Sequence, residues 1–304
     1  MNKPGSLIRS VLLTSFLLSA ITSAQTHHDR EFWRAIAKNH YAVPEHESID
    51  ALAHELSGQL ASPDPELRDQ LAYSILTTWI YRKNGLSPET LVSLTDEWRA
   101  NLKDRLGESG TNSVLKRSFS ALMLSSMARR EAKLPFMGAE RYRSLVAEAV
   151  AYLQAERDLR GYDAELHWIH ATAHTADLLA ALAQSSLLTK EEAGRILQSI
   201  DARFTTAPQV YTQGEQDRLA VVVVKVIERK DFDETTFQPW LGHIEEEDRD
   251  VWTATTPESL ARYQNHNYFL QALTVRISIE PESPQMSKYR QEVLKLLATR
   301  YAND

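Results

Sequence analysis

Leu219-Ala-Val-Val-Val-Val-Lys-Val-Ile227 is the stretch on which the fold class turns. Its composition alone reads as a buried strand, because β-branched residues suit a pleated surface. Its flanks argue for a helix. Thr212-Gln-Gly-Glu215 has the spacing of a capping box, and Lys225, Glu228, Arg229 and Lys230 finish a helix well. With this segment helical, no strong strand candidate remains and the chain is all-α.

Outward from that stretch the same punctuation recurs. Asp64-Pro65 places an acceptor at an N-cap and proline at the first helical position, ahead of a helix from Glu66 to Tyr81. Ser87-Pro88 and Thr256-Pro257 repeat the device, and Thr189-Lys-Glu-Glu192 is a second capping box. Gly85, Gly107 and Gly161 sit where helices should stop, with Gly161 read as a left-handed C-cap. Apolar helices that open on a basic or polar residue are expected near Arg68, Arg117, His170, Arg218 and Asn267, at intervals of 49, 53, 48 and 49 residues. A further helix is expected between each pair, over 88–105, 140–157, 190–203 and 233–247. Two helices in a period of about 50 residues predict an α-solenoid-like array of stacked helical hairpins. The alternative is an irregular α/α helical bundle. Residues 27–60 and 286–302 would cap the two ends. No Pro-, Gly- or Ser-rich linker interrupts residues 25–304, which are expected to form a single domain.

The first 24 residues are unlike the rest. Lys3 and Arg9 precede the apolar run Val11 to Ile21, and Thr22-Ser23-Ala24 offers small residues for cleavage. This is the pattern of a signal peptide, so the protein is expected to be exported, to the periplasm, with no stable membrane span after cleavage. An uncleaved N-terminal anchor is the alternative. With Lys3 and Arg9 set aside, 32 Lys and Arg face 41 Asp and Glu, a net charge of −9. Such a surface repels phosphate backbones and anionic lipid, which argues against nucleic acid as a partner. The chain has no cysteine, hence no disulfide, thiolate ligand or cysteine nucleophile. No Gly-x-Ser-x-Gly elbow and no glycine-rich phosphate loop occur, so Ser118 and Ser120 read as small residues that allow close helix packing. Trp33, Trp79, Trp98, Trp240 and Trp252 read as core or seam residues, and Glu245-Glu246-Glu247-Asp248 as a solvated charged turn.

The chemically densest segment is His167-Trp-Ile-His170-Ala-Thr-Ala-His174-Thr-Ala-Asp177. On a helix, His167, His170, His174 and Asp177 would share an arc of about 80°, beside an apolar seam that includes Trp168. Three readings stay open. His170 and His174 can present two ring nitrogens to a divalent metal, with Asp177 or another helix completing the shell. A histidine beside a carboxylate can shuttle protons. Or the ridge packs against a neighbour and satisfies buried carbonyls. The metalloprotease motif is absent, since Ala171 and Thr172 stand where its glutamate would be. Upstream, Arg160 either pairs with Asp158 or reaches an anionic ligand over the histidines, and Arg68 and Arg117 can converge on the same place.

The stretches Ser62 to Tyr73, Arg117-Ser-Phe-Ser-Ala-Leu122, Asp158-Leu-Arg-Gly161 and His170 to Leu179 resemble the bacterial domain-of-unknown-function family 2785. The resemblance covers about Asp50 to about Ile279. It implies an all-α, repeat-like fold and no established activity. Where the family commonly has glycine before the Trp and after the second His, this chain has His167 and Thr175. Two functional expectations follow: a non-enzymatic protein with a groove for a peptide, protein segment or small molecule, or a metal-dependent hydrolase. For the first the candidate residues are Arg68, Arg117, Asp158, Arg160, Trp168, His170, His174 and Asp177. For the second they are His170, His174 and Asp177.

Overall fold

Side-chain caps set several of the helix starts in residues 27–302, the part of the chain that the computed structural model describes. Residues 1–24, on which the export expectation rests, lie outside the described residues. α1 (Arg30–Lys38) and α2 (Ile49–Gln59) lead into α3, a continuous rod that is π-type over Glu66–Tyr73, α-type over Ser74–Thr77 and π-type again over Thr78–Arg82. There follow α4 (Pro88–Asn101), α5 (Ser113–Lys133) and α6 (Gly138–Ala155). A two-stranded antiparallel ribbon, β1 (Tyr162–Asp163) and β2 (His167–Trp168), pairs Tyr162 with Trp168 and Asp163 with His167. The remainder is α7 (Ala171–Ala183), α8 (Lys190–Thr205), α9 (Glu215–Ile227), α10 (Phe237–Glu247), α11 (Pro257–Ile279) and α12 (Pro284–Tyr301).

The expected caps at Asp64, Ser87, Thr189 and Thr256 are all present. Asp64 accepts from the backbone N–H of Glu66 (2.9 Å) and Leu67 (3.3 Å), and Ser87 from that of Thr90 (3.2 Å). Thr189 with Glu192, and Thr256 with Ser259, form reciprocal boxes. Loss of one such cap costs about 1 kcal/mol.

The valine run is a helix, and most of α9 is buried. Its start corrects the expectation. Gly214 is the N-cap, at φ +89°, a conformation that glycine adopts without steric cost. Glu215 therefore accepts from the N–H of Gln213 (2.9 Å), while the Thr212 hydroxyl donates to the Gln213 side chain (2.7 Å). No Thr212 capping box forms.

Alternate helices pack in sequence. α5 lies on α7, α7 on α9 and α9 on α11; on the other side α6 lies on α8, α8 on α10 and α10 on α12. α7 can sit between two neighbours because Ala173, Ala176, Ala180, Ala181 and Ala183 keep its buried faces thin. One apolar cluster runs from Trp33 to Leu297. Each fully buried aliphatic or aromatic side chain in it is worth about 1.5–3 kcal/mol.

Several local expectations fail for identifiable reasons. α4 ends at Asn101, and the chain turns through Gly107 at φ +99°. α11 starts at Pro257, so Asn267 lies mid-helix, where it accepts a hydrogen bond from Arg300 (3.0 Å). Trp33, Trp79, Trp98 and Trp240 are buried, but Trp252 is 63 % exposed and rests edge-on against Tyr263. In the Glu245–Asp248 run only the leading residues face solvent, because Asp248 turns inward to Arg262, His266 and Arg300. Among the described residues no helix is long and apolar enough to cross a membrane.

Candidate functional site

The histidine-rich segment is a ribbon leading into a helix. His167 and Trp168 form β2, His170 is the N-cap of α7, and only His174 and Asp177 stand on the helix. The expected four-residue ridge on one helical face therefore does not exist. Two backbone positions break it: His167 (φ +57°) and His170 (φ +50°) are left-handed, a conformation that costs a non-glycine residue about 1 kcal/mol or more. The ribbon compensates. The N–H groups of Ile169 and His170 bond the carbonyls of Gly161 (2.9 Å) and Arg160 (3.1 Å), and Asp163 accepts from the N–H of Glu165 and Leu166 (both 2.8 Å) to close the turn.

Gly161 does not end a helix, since α6 stops at Ala155 and Gly161 is absent from the left-handed glycines. Its role is close approach. A Cβ there would lie 2.6 Å from the Gln213 amide oxygen and 2.9 Å from Glu215 Oε1. The missing side chain lets the start of α9 close over the base of the ribbon.

The ribbon is also held from α3 and α5. Arg68 is fully buried; its guanidinium donates to the carbonyls of Ser62 (2.7 Å), Leu166 and Trp168 (3.3 Å), and lies 4.9 Å above the Phe119 ring. Burial depresses its pKa, and its Nε has no hydrogen-bond partner. Beside it, burial pushes the Asp69 carboxyl up, against the opposing charges of Arg68 and His167. A small apolar group of Val114, Leu115, Ile169 and Ala171 pins the ribbon's exit to α5.

Ser118 fixes the protonation of His174. Its hydroxyl contacts both the Ile169 carbonyl and His174 Nδ1 (2.8 Å). A carbonyl only accepts, so the one hydroxyl proton goes to Ile169, and Ser118 accepts from His174 Nδ1–H. Nε2 of the neutral ring then carries the lone pair. Burial first, then the charges of His170 and Arg218, hold the His174 pKa well below the ordinary 6.5. The pair is not a nucleophile with its base, because the proton runs the wrong way for that chemistry.

Rings connect this interior to the surface. Tyr162, 49 % exposed, stacks on His167 (5.6 Å) and meets Trp168 edge-on (5.0 Å). Trp168, 40 % exposed, stacks on His170 (4.9 Å); His170 meets His174 edge-on (5.9 Å), and His174 meets Phe119 (5.1 Å). His170 Nε2 is buried without a hydrogen-bond partner, 3.4 Å from the buried carboxylate of Glu215.

The other candidate residues lie apart from this path. Arg117 donates to both Glu156 oxygens (2.7 and 3.0 Å) and to the carbonyls of Asp104 and Arg105 (3.1 Å each), so it ties the loop before α5 to the end of α6. Arg160 pairs with Asp158 (Nη2 to Oδ2, 2.6 Å) and donates to the Thr111 carbonyl (2.8 Å). Asp177 accepts from Arg218 through both oxygens (2.7 Å). Among the described residues no group of three or more His, Asp or Glu side chains is placed to hold a metal ion.

Of the candidates, the fold gathers Arg68, Trp168, His170 and His174. Sequence reasoning missed Ser118, Phe119, Tyr162 and Glu215, which come from three other elements. Ser118 and Phe119 lie inside the Arg117–Leu122 stretch and Tyr162 just after the Asp158-Leu-Arg-Gly161 turn, whereas Glu215 carried only the signal of a helix start.

The chain is similar to no curated protein and to no solved structure at the level that would establish a relationship. Residues 102–275, more than half of the chain and the whole of the ribbon with its flanking helices, match the family described as protein of unknown function (DUF2785), and the chain belongs to that family.

Proposed function

We propose that the protein is exported and that its ribbon is a binding site, which takes a peptide or small ligand with a flat apolar face. The observation that carries this reading is the ring path. Tyr162 and Trp168 present aromatic faces to solvent at right angles, on a backbone held in two left-handed residues. Exposed aromatics fixed in place supply contact area at little entropic cost. Behind them lie the buried His170 Nε2, which has no hydrogen-bond partner, and the Glu215 carboxylate 3.4 Å from it. The successive packing of helices supports a hairpin array as the scaffold, and the pattern of residues 1–24 supports export to the periplasm.

The metal-dependent reading of His170, His174 and Asp177 has less support, since Arg218 occupies both Asp177 oxygens.

Selection of displayed random peptides on the wild-type protein, followed by binding measurements on Trp168→Ala and Tyr162→Ala, tests the proposal. Both substitutions are at exposed rings, and melting curves verify that each variant is folded. Selected peptides should lose at least ten-fold in affinity for Trp168→Ala. Peptides that bind this variant as tightly as the wild type would overturn the assignment.

A further inference from the structure

Far from the ribbon, four titratable side chains from three helices form a line. Asp248, just after α10, accepts from His266 Nδ1 on α11 (2.7 Å) and is also held by Arg300 (2.7 Å) and Arg262 (3.2 Å). The opposite nitrogen of His266, Nε2, faces Asp201 Oδ1 on α8 at 3.8 Å, and both atoms are buried without a hydrogen-bond partner. Asp201 Oδ2 takes up His243 Nδ1 on α10 at 2.5 Å. The line thus alternates carboxylate and imidazole, from a fully buried histidine to one whose side chain is 59 % exposed.

The exposed end lies in a groove of about 740 Å3 between α8 and α10, lined by Asp201, Thr205, Trp240, His243 and Glu247. Gln154 and Gln198 also line it, with side-chain amides free to donate. Because Asp201 accepts at Nδ1, the neutral His243 ring carries its lone pair on Nε2, away from the carboxylate. This is the arrangement that lets a carboxylate orient an imidazole as a general base. Burial raises the Asp201 pKa, which the neighbouring charges of His266 and His243 oppose and that of Glu247 reinforces.

We propose that this groove is a hydrolytic site for a neutral or cationic ester or amide, with His243 as the catalytic residue and Asp201 as its positioning residue. A water molecule gives a proton to His243 Nε2 while its oxygen bonds to the acyl carbon. The carbonyl electron pair moves to oxygen, where the amide N–H groups of Gln154 and Gln198 receive it. As the carbonyl re-forms, the bond to the alcohol or amine breaks and the leaving group takes the proton from His243. The carboxylates of Asp201 and Glu247 disfavour an anionic substrate. The proposal is independent of ligand binding at the ribbon.

The test is release of p-nitrophenolate from p-nitrophenyl acetate by untagged protein, with His243→Gln, Asp201→Asn and His46→Gln in parallel. His46 is exposed, and because His243 partners the buried Asp201 the folding of His243→Gln is verified by its melting curve. The wild type should turn over at least ten-fold faster than His243→Gln, and His46→Gln should match the wild type. Asp201→Asn, with folding verified by its melting curve, should lower kcat more than it raises KM and displace the pH–rate profile. Equal rates for wild type and His243→Gln, or an equal loss in His46→Gln, would overturn the assignment of His243. An unchanged pH–rate profile in folded Asp201→Asn would overturn the role of Asp201.

Discussion

The molecule holds its buried histidines in two opposite ways. At the ribbon, His174 gives its proton to the neutral hydroxyl of Ser118 and rests against Phe119. Between α8, α10 and α11, His266 lies between two carboxylates and close to two arginine partners of Asp248. One residue type therefore serves as a neutral polar plug in one place and as a link between charges in the other. The surroundings decide, through desolvation against Coulomb attraction. A count of histidines along the chain cannot separate the two.

The contrast breaks most visibly when one partner is removed from each region. Asp248→Ala leaves the buried Arg300 and His266 without their shared carboxylate, and should cost about 3–5 kcal/mol because uncompensated buried charge is expensive. Urea unfolding measures it, and a loss below about 1 kcal/mol would mean that the cluster is solvated after all. Ser118→Ala removes only neutral hydrogen bonds, leaving the Ile169 carbonyl and His174 Nδ1–H without their partner, for about 1–3 kcal/mol. Nitrogen chemical shifts of the His174 ring should also move away from the Nδ1–H tautomer in that variant. An unchanged spectrum would show that Ser118 does not set it.

The two regions should also respond to acid in different windows. His174 has a folded pKa depressed below its unfolded 6.5. As pH falls below 6.5 the unfolded chain takes up a proton that the folded ring refuses, so stability drops by up to about 1.4 kcal/mol per pH unit. Unfolding midpoints at pH 7.5, 6.5 and 5.5 should reveal this slope, and His174→Gln should flatten it. Burial alone would raise Asp248, but the hydrogen bond and charge of His266 and then of Arg300 hold it below its ordinary range. Its stabilisation is present above the unfolded value of 3.8 and is lost only as pH falls through the lower folded one. Equal acid sensitivity of Asp248→Asn and wild type below pH 4 would contradict that assignment.

The smallest effect concerns backbone strain. His167 is left-handed at a position where the resemblance to family 2785 leads one to expect glycine. His167→Gly should therefore be neutral or stabilise by up to about 1 kcal/mol, despite the flexibility it adds to the unfolded chain. A clear loss in thermal melting would mean that the ring's stacking on Tyr162 outweighs the strain.

Legibility in the sequence follows the distance over which each feature is built. Caps were readable because donor and acceptor lie three residues apart, as at Thr189 and Glu192. The valine run gave its class through its flanks, although its cap was misplaced because Gly214 alone could enter the helix left-handed. The ribbon was hidden by periodicity. His167, His170 and His174 fall at helical spacing, yet a helix from His167 would forfeit the bonds that Ile169 and His170 make to Gly161 and Arg160. The α8–α10–α11 line was invisible for a different reason. Its members, Asp201, His243, Asp248 and His266, meet only when three helices pack, and no pattern along the chain marks them as partners.

The anchoring of the ribbon has a consequence for the order in which the protein can be completed. Arg68 closes onto the carbonyls of Leu166 and Trp168, 98 and 100 residues further along. A chain delivered N-terminus first, at about 5–20 residues per second, exposes α3 for several seconds before those carbonyls exist. During that interval the Arg68 guanidinium has no interior partner on the ribbon, and the surface it will cover stays open. The N-terminal helices therefore form an unfinished end that waits for the middle of the chain.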